Sequence, residues 1–114
     1  MPSSKPARRL QDIIDNIAWI LDDVGAMSES DFLSNRTVQD ATLFRLLRIS
    51  ESAVKLGDLA GDLAPGQPWA QIRGFGNVLR HDYDSVALPQ VWVIAKRDLP
   101  SLMASCREAL AKLR

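Results

Sequence analysis

The apolar residues of this chain recur at steps of three and four, and almost nowhere at steps of two. From about Arg8, the set Leu10, Ile13, Ile14, Ile17, Ala18, Leu21 and Val24 forms one stripe. That spacing lines one side of a helix, whereas a half-buried strand needs strict alternation. No segment alternates, so the pattern predicts an all-α fold without a sheet. The first helix should end near Gly25, and Trp19 and Ile20 widen its stripe enough to meet two neighbours.

The polar punctuation between apolar runs divides the rest of the chain. In "MSESDFL", Ser28 or Ser30 offers a cap for a short helix or turn. Asn35 or Thr37 can cap a long helix over about 37–57, with apolar positions at Val38, Ala41, Phe44 or Leu43, Leu47, Val54 and Leu56. Glu51 precedes Lys55 by one turn and is expected to pair with it. Gly57 and Gly61 are candidate stops. "APGQPWAQI" reads as a loop and a helix start, with Pro68 in the first turn. The helix continues through Trp69, Ile72, Phe75, Val78 and Leu79 to about His81, where "HDYDSVALPQ" breaks it. Pro89 opens a last helical region with Val91, Trp92, Ile94 and Ala95 on its apolar face. Asp98 and Pro100 either cap a new helix or kink a continuous one.

Four or five helices joined by short loops make an α-helical bundle. The three tryptophans lie in three helices and are expected to pack its core. Val91, Trp92 and Val93 put apolar surface all round their helix, which points to a second buried face and so to a homodimer. Residues 1–7, with Pro2, Pro6 and two serines, read as a disordered tail ahead of one domain over 8–114.

Composition narrows the function classes. At 114 residues, with 46% hydrophobic and 25% charged, the chain has the profile of one folded, soluble domain. Its formal net charge is zero, so no global field draws it to nucleic acid, and any RNA binding must come from a local patch or from patches summed across subunits. The single cysteine, Cys106, forms no internal disulfide and sits in an apolar-periodic helix, which fits core packing in a reducing cytoplasm. No signal peptide and no run of about 18 apolar residues places the chain in a membrane. One histidine among scattered carboxylates is no metal cluster, and "GFG" inside a helix is a weak phosphate-loop signal, so no metal or cofactor is expected.

The chemistry concentrates in "RGFGNVLRHDYDSV", residues 73–86, which holds the only histidine and the only tyrosine. Metal-independent RNA cleavage needs a base to free the 2′-OH, an acid to protonate the leaving oxygen, and a cation for the charge on phosphorus. Histidine serves as acid or base near neutral pH, and arginine presents a fixed fork to phosphate oxygens. On a helix, Asn77 lies about 40° from His81, Arg73 about 80° and Arg80 about 100° around the axis. Arg73 can reach the imidazole's neighbourhood, while Arg80 more naturally points elsewhere. A helix-end histidine also has a structural reading, as a cation for the C-terminal dipole. Tyr83 in the same way can simply pack its ring. Arg45 and Arg48, one turn apart, extend an RNA-binding surface or form a solvated face.

"GFGNVLRHDYDSVALPQVW" resembles the HepT-like family of the HEPN ribonucleases, whose members typically read G-M-R-N-V-L-I-H-x-Y followed by x-V-W. Gly74, Asn77, Val78, Leu79, His81, Tyr83, Val91 and Trp92 match. "RLLRISESAVKL" is similar to the family's R-x-L-E-I-I-G-E-A-x-K-x-L at Arg45, Ile49, Ala53 and Lys55, with Glu51 and Leu56 each one position before the family's glutamate and leucine. The likeness runs in one order over roughly residues 8–112. It implies a helical homodimer in which two copies of the arginine–histidine motif build one cleft for RNA, tRNA being a candidate target. Histidine and arginine carry the cleavage there, and the polar residue after the arginine, here Asn77, assists. It also implies a toxin whose partner, a small nucleotidyltransferase antitoxin, modifies the tyrosine of H-x-Y, here Tyr83, with AMP.

The chain departs from that pattern at one position. Where the family has its arginine, immediately before Asn77, this sequence has Gly76. Three explanations stand open. Arg73 or Arg80 substitutes; or the protein is a weakened or dead relative that still binds RNA or its antitoxin; or an activity-reducing substitution was introduced because a ribonuclease is hard to express. A dead module is expected to gain activity on Gly76→Arg.

Overall fold

The computed structural model describes residues 5–113. Its helices are α1 (Pro6–Val24), α2 (Glu29–Leu33), α3 (Arg36–Leu56), α4 (Leu59–Leu63), α5 (Trp69–His81), α6 (Leu88–Val93) and α7 (Leu99–Lys112). Among the described residues there is no strand, so the all-α expectation holds.

Side-chain chemistry at the helix ends explains most of these boundaries. Proline suits the first helical turn, and α1 starts at Pro6 rather than near Arg8. Pro6 and Ala7 therefore belong to the helix and Lys5 is its N-cap residue; the rest of the expected tail, residues 1–4, lies outside the described residues. Ser28 caps α2 in a reciprocal box: its Oγ accepts from Asp31 N–H at 3.0 Å, and Asp31 Oδ2 accepts from Ser28 N–H at 3.0 Å. Asn35 caps α3, its Oδ1 accepting from Val38 N–H at 3.0 Å. Gly57 ends α3 at φ 58°, a conformation that glycine adopts without steric cost. Gly61 is no stop; it lies inside α4.

The long elements α1, α3, α5 and the continuous run α6–α7 form the bundle. Helix α1 packs on α3 and α7, and α5 packs on α3. The α1 stripe is dry: Leu10, Ile13, Ile17, Ile20 and Val24 have no exposed surface. Facing them are Leu46, Ile49 and Leu56 of α3 and Leu99, Leu102 and Cys106 of α7. Each such aliphatic side chain contributes roughly 1.5–3 kcal/mol on burial. Cys106 is buried as expected, and that burial pushes its thiol up to about 12.

The question at Asp98 and Pro100 resolves as a continuous helical run with a wider π turn, Ile94–Asp98, between α6 and α7. Pro100 has no N–H to donate one turn back, and the extra residue in the turn accommodates its ring. Asp98 makes no side-chain cap and instead accepts from Arg97 Nε at 3.0 Å.

Three packing expectations need correction. Trp69 is buried and donates its indole N–H to the Ala64 carbonyl at 2.9 Å, and Trp92 stacks against Phe32 at 5.5 Å. Trp19, however, is 51% exposed, because it stands off the α1 stripe with its ring under the Arg45 guanidinium. On α3, Leu43 rather than Phe44 is buried, and Val54 is exposed. Glu51 and Lys55 are both exposed, and no ion pair within 4.0 Å joins them among the described residues.

Candidate active site

Helix α5 is anchored at its start, and at its end it buries Leu79 while its polar residues stay exposed. At the start, the Trp69 indole anchors to Ala64, and Gln67 Nε2 donates to Ser105 Oγ of α7 at 2.8 Å. At the end, Asp82 leaves the helix at φ −147°, ψ 49°, and a 3-10 turn, Tyr83–Ser85, follows. Ser85 Oγ closes that turn by donating to the Asp82 carbonyl at 2.9 Å. The last turn of α5 thus projects its polar residues beyond the bundle. Asn77, Arg80 and His81 are exposed and Arg73 is half-buried. Helical geometry spreads these four over about 100° of one face, so all four candidate residues share a strip.

Arg80 does not point away, as its base angle suggested. Side chains on a helix lean toward its N-terminus, and Arg80 is long enough to lie back over the preceding turn. Its Nη2 donates to Asn77 Oδ1 at 2.9 Å. Its Nη1 lies 3.3 Å from where a Cβ on Gly76 would stand.

Gly76 is buried against α3. A Cβ there would collide with Ser50 Oγ and lie 2.9 Å from Ser50 Cβ. Ser50 is 1% exposed, and its Oγ donates to the Arg73 carbonyl at 3.1 Å. The missing side chain at position 76 therefore serves two contacts: close approach of α5 to α3, and room for the Arg80 fork. Ser50 was missed in the sequence because neither serine of "RISESAV", Ser50 or Ser52, carries a periodic signal.

Tyr83 is 49% exposed and borders an open groove of about 410 Å³ between the α2–α3 corner and the turn after α5. Arg36, Asp40, Asp84 and Leu88 share its lining. Partial burial, and then the negative charge of Asp40, raise the Tyr83 phenol above its ordinary value, while Arg36 pulls the other way. Asp40 and Arg36 come from α3, and no local pattern linked them to the tyrosine.

Arg45 and Arg48 differ. Arg45 is committed to Asp23 at 2.6 Å and to the Trp19 ring at 5.7 Å. Arg48 is exposed over the Phe44 ring at 5.9 Å. Only Arg48 keeps its fork open to an incoming phosphate. Among the described residues no group of His, Cys, Asp or Glu could hold a metal ion, and no helix is long and apolar enough to cross a membrane.

A strip of histidine, asparagine and arginine at a helix end has the parts for acid–base work on a phosphodiester. Comparison with known proteins finds ribonuclease-like relatives. A family described as "Ribonuclease HepT-like" matches residues 10–109. The chain is 24% identical over 93 residues to "Putative RNase MJ1380" of Methanocaldococcus jannaschii, covering 82% of this chain and 85% of that protein. It is 24% identical over 107 residues to "Putative RNase TTE0752" of Caldanaerobacter subterraneus subsp. tengcongensis, covering 94% and 96%. A second Methanocaldococcus jannaschii protein, "Gamma-glutamylcyclotransferase and putative RNase MJ0434", is 25% identical over 104 residues; the match covers 91% of this chain and 47% of that protein. No solved structure matches significantly. With the family match covering nearly its whole length, the chain belongs to the HepT-like ribonuclease family.

Proposed function

We infer that the protein is a metal-independent endoribonuclease, the toxin of a pair whose antitoxin is a nucleotidyltransferase, acting as a homodimer in the cytoplasm. The observation that carries this reading is the exposed strip at the end of α5, where His81 stands one turn from Asn77 beside two arginines. His81 moves the protons: it takes one from the attacking 2′-OH or gives one to the leaving oxygen. A second imidazole, from the partner subunit across the dimer axis, supplies the complementary role. Asn77 is a neutral donor and acceptor beside the phosphate. With zero net charge on each chain, RNA is held by this local cluster rather than by a long-range field. Tyr83, at the edge of the groove and within a few residues of His81, is the acceptor of AMP. The added phosphate brings negative charge next to the cleft and repels RNA.

The test is incubation of the purified protein with tRNA and with total RNA in EDTA. Cleavage in the presence of chelator is the expected result. A specific observation, Gly76 in place of the motif arginine, favours a second reading: a catalytically dead module that binds its antitoxin or RNA. Intact RNA at high protein concentration, together with a stable complex with the nucleotidyltransferase, would establish that second reading instead.

A further inference from the structure

Two arginines lie on the α5 strip, and the geometry points to Arg80, not Arg73, as the residue that holds the scissile phosphodiester, with Gly76 as the seat that lets it do so. This rests on the ribonuclease reading above and adds the cation to it. Arg80 is exposed, so its donors are within reach of a ligand. It is also held in place: Nη2 is engaged by Asn77 Oδ1 at 2.9 Å, and Nη1 lies 3.3 Å from the vacant Cβ position of Gly76. Asn77 is neutral, so the fork is oriented without its charge being cancelled. A guanidinium carries five N–H donors, and a single bond to an amide leaves the rest for phosphate oxygens. The other arginines near the strip are worse placed. Arg45 is neutralised by Asp23. Arg73 is half-buried seven residues, about two turns, before Arg80 and further from His81. Arg80 is the immediate neighbour of His81 and reaches back along the helix, so the fork and the imidazole flank the end of one turn.

Gly76 makes this possible by what it lacks. A Cβ there would stand 3.3 Å from Arg80 Nη1, crowding the fork and shifting it by a few tenths of an ångström, and would collide with Ser50 on the other side. Glycine at 76 and arginine at 80 therefore form one unit. The cation starts one turn later in sequence and arrives over position 76 by folding back. Asn77 is its positioning residue.

The experiment compares Arg80→Ala, Arg80→Lys, Arg73→Ala, Asn77→Ala and His81→Ala on two readouts. One is cleavage of RNA in EDTA. The other is binding of a non-cleavable oligonucleotide, 2′-deoxy at every position, as a function of salt. Arg80→Ala is expected to lower kcat by about 10²–10³-fold, the usual loss for one donor to a developing oxyanion. It should also weaken oligonucleotide binding and flatten the salt dependence by about 0.7 per lost phosphate contact. Arg80→Lys recovers binding more than cleavage, because the ammonium keeps the charge and loses the fork. Asn77→Ala lowers kcat with little change in KM. His81→Ala lowers cleavage by about 10²–10⁴-fold and changes oligonucleotide binding less than Arg80→Ala does. If Arg73→Ala loses both readouts while Arg80→Ala matches the unsubstituted protein, the assignment is overturned and the ribonuclease reading stands. If the unsubstituted protein cuts nothing, the ribonuclease reading fails, and the binding arm still decides whether Arg80 holds phosphate.

Discussion

His81→Ala is expected to reduce RNA cleavage by about 10²–10⁴-fold, the range lost when a positioned acid or base is removed. The site offers no replacement. His81 is the only histidine in the chain, so no second imidazole of the same chain can take its role. Fold stability should change little, because His81 is exposed and no hydrogen bond or ion pair involves its ring among the described residues. A stability change with cleavage intact would instead mean that the residue acts only as a cation at the C-terminal end of α5. Thermal melts run beside the cleavage assay separate the two outcomes.

Gly76 gives the second large effect, and its sign is set by two opposed contributions. Placing Ala in a helix interior gains roughly 0.5–1 kcal/mol over Gly. Overpacking a tight contact loses roughly 1–3 kcal/mol. The new Cβ would lie 2.9 Å from Ser50 Cβ, and Ser50 Cβ is fixed to the α3 backbone, so rotating the hydroxyl does not relieve the clash. Overpacking wins, and Gly76→Ala is expected to destabilise the protein by about 1–2 kcal/mol. Gly76→Arg costs more and also displaces the Arg80 fork. On this packing Gly76→Arg is expected to wedge α5 from α3 rather than to raise activity, the opposite of what the sequence suggested for that substitution. Denaturant unfolding in a Ser50→Gly background provides the control. There the penalty of Gly76→Ala should shrink or change sign, since the two positions touch and couple. An equal penalty in both backgrounds would show that Ser50 is not the obstacle.

What could be read from the sequence was whatever depends on spacing along one helix. Leu10, Ile13, Ile14, Ile17 and Val24 of the α1 stripe are buried as read, with Ala18 and Leu21 only partly so; Asn35 caps α3, and α5 ends at His81. What could not be read depends on a second element or on side-chain reach. Trp19 lies beside the apolar stripe, and only the arrival of Arg45 from α3 shows that its ring stays half-exposed. The raised phenol of Tyr83 comes first from partial burial and then from Asp40, distant in sequence. The position of Arg80 was misread because its base angle was weighed and its length was not; four side-chain carbons and nitrogens carry the guanidinium back a full turn. Gly76 is the sharpest case. In sequence it is a missing cation, and in the fold it is a contact with Ser50 and a place for a cation from elsewhere.

The account rests on an attack by the RNA's own 2′-hydroxyl, driven by groups on the α5 strip without metal. The most direct measurement uses a short RNA cut by the protein in EDTA, resynthesised with a single 2′-deoxy sugar on the 5′ side of the cleaved linkage. The account predicts that this one linkage resists cleavage and that the uncapped cut in the all-ribose RNA leaves a 2′,3′-cyclic phosphate. Equal cleavage of the deoxy-substituted strand would contradict it, because a water or metal-bound nucleophile would then be attacking in place of the sugar.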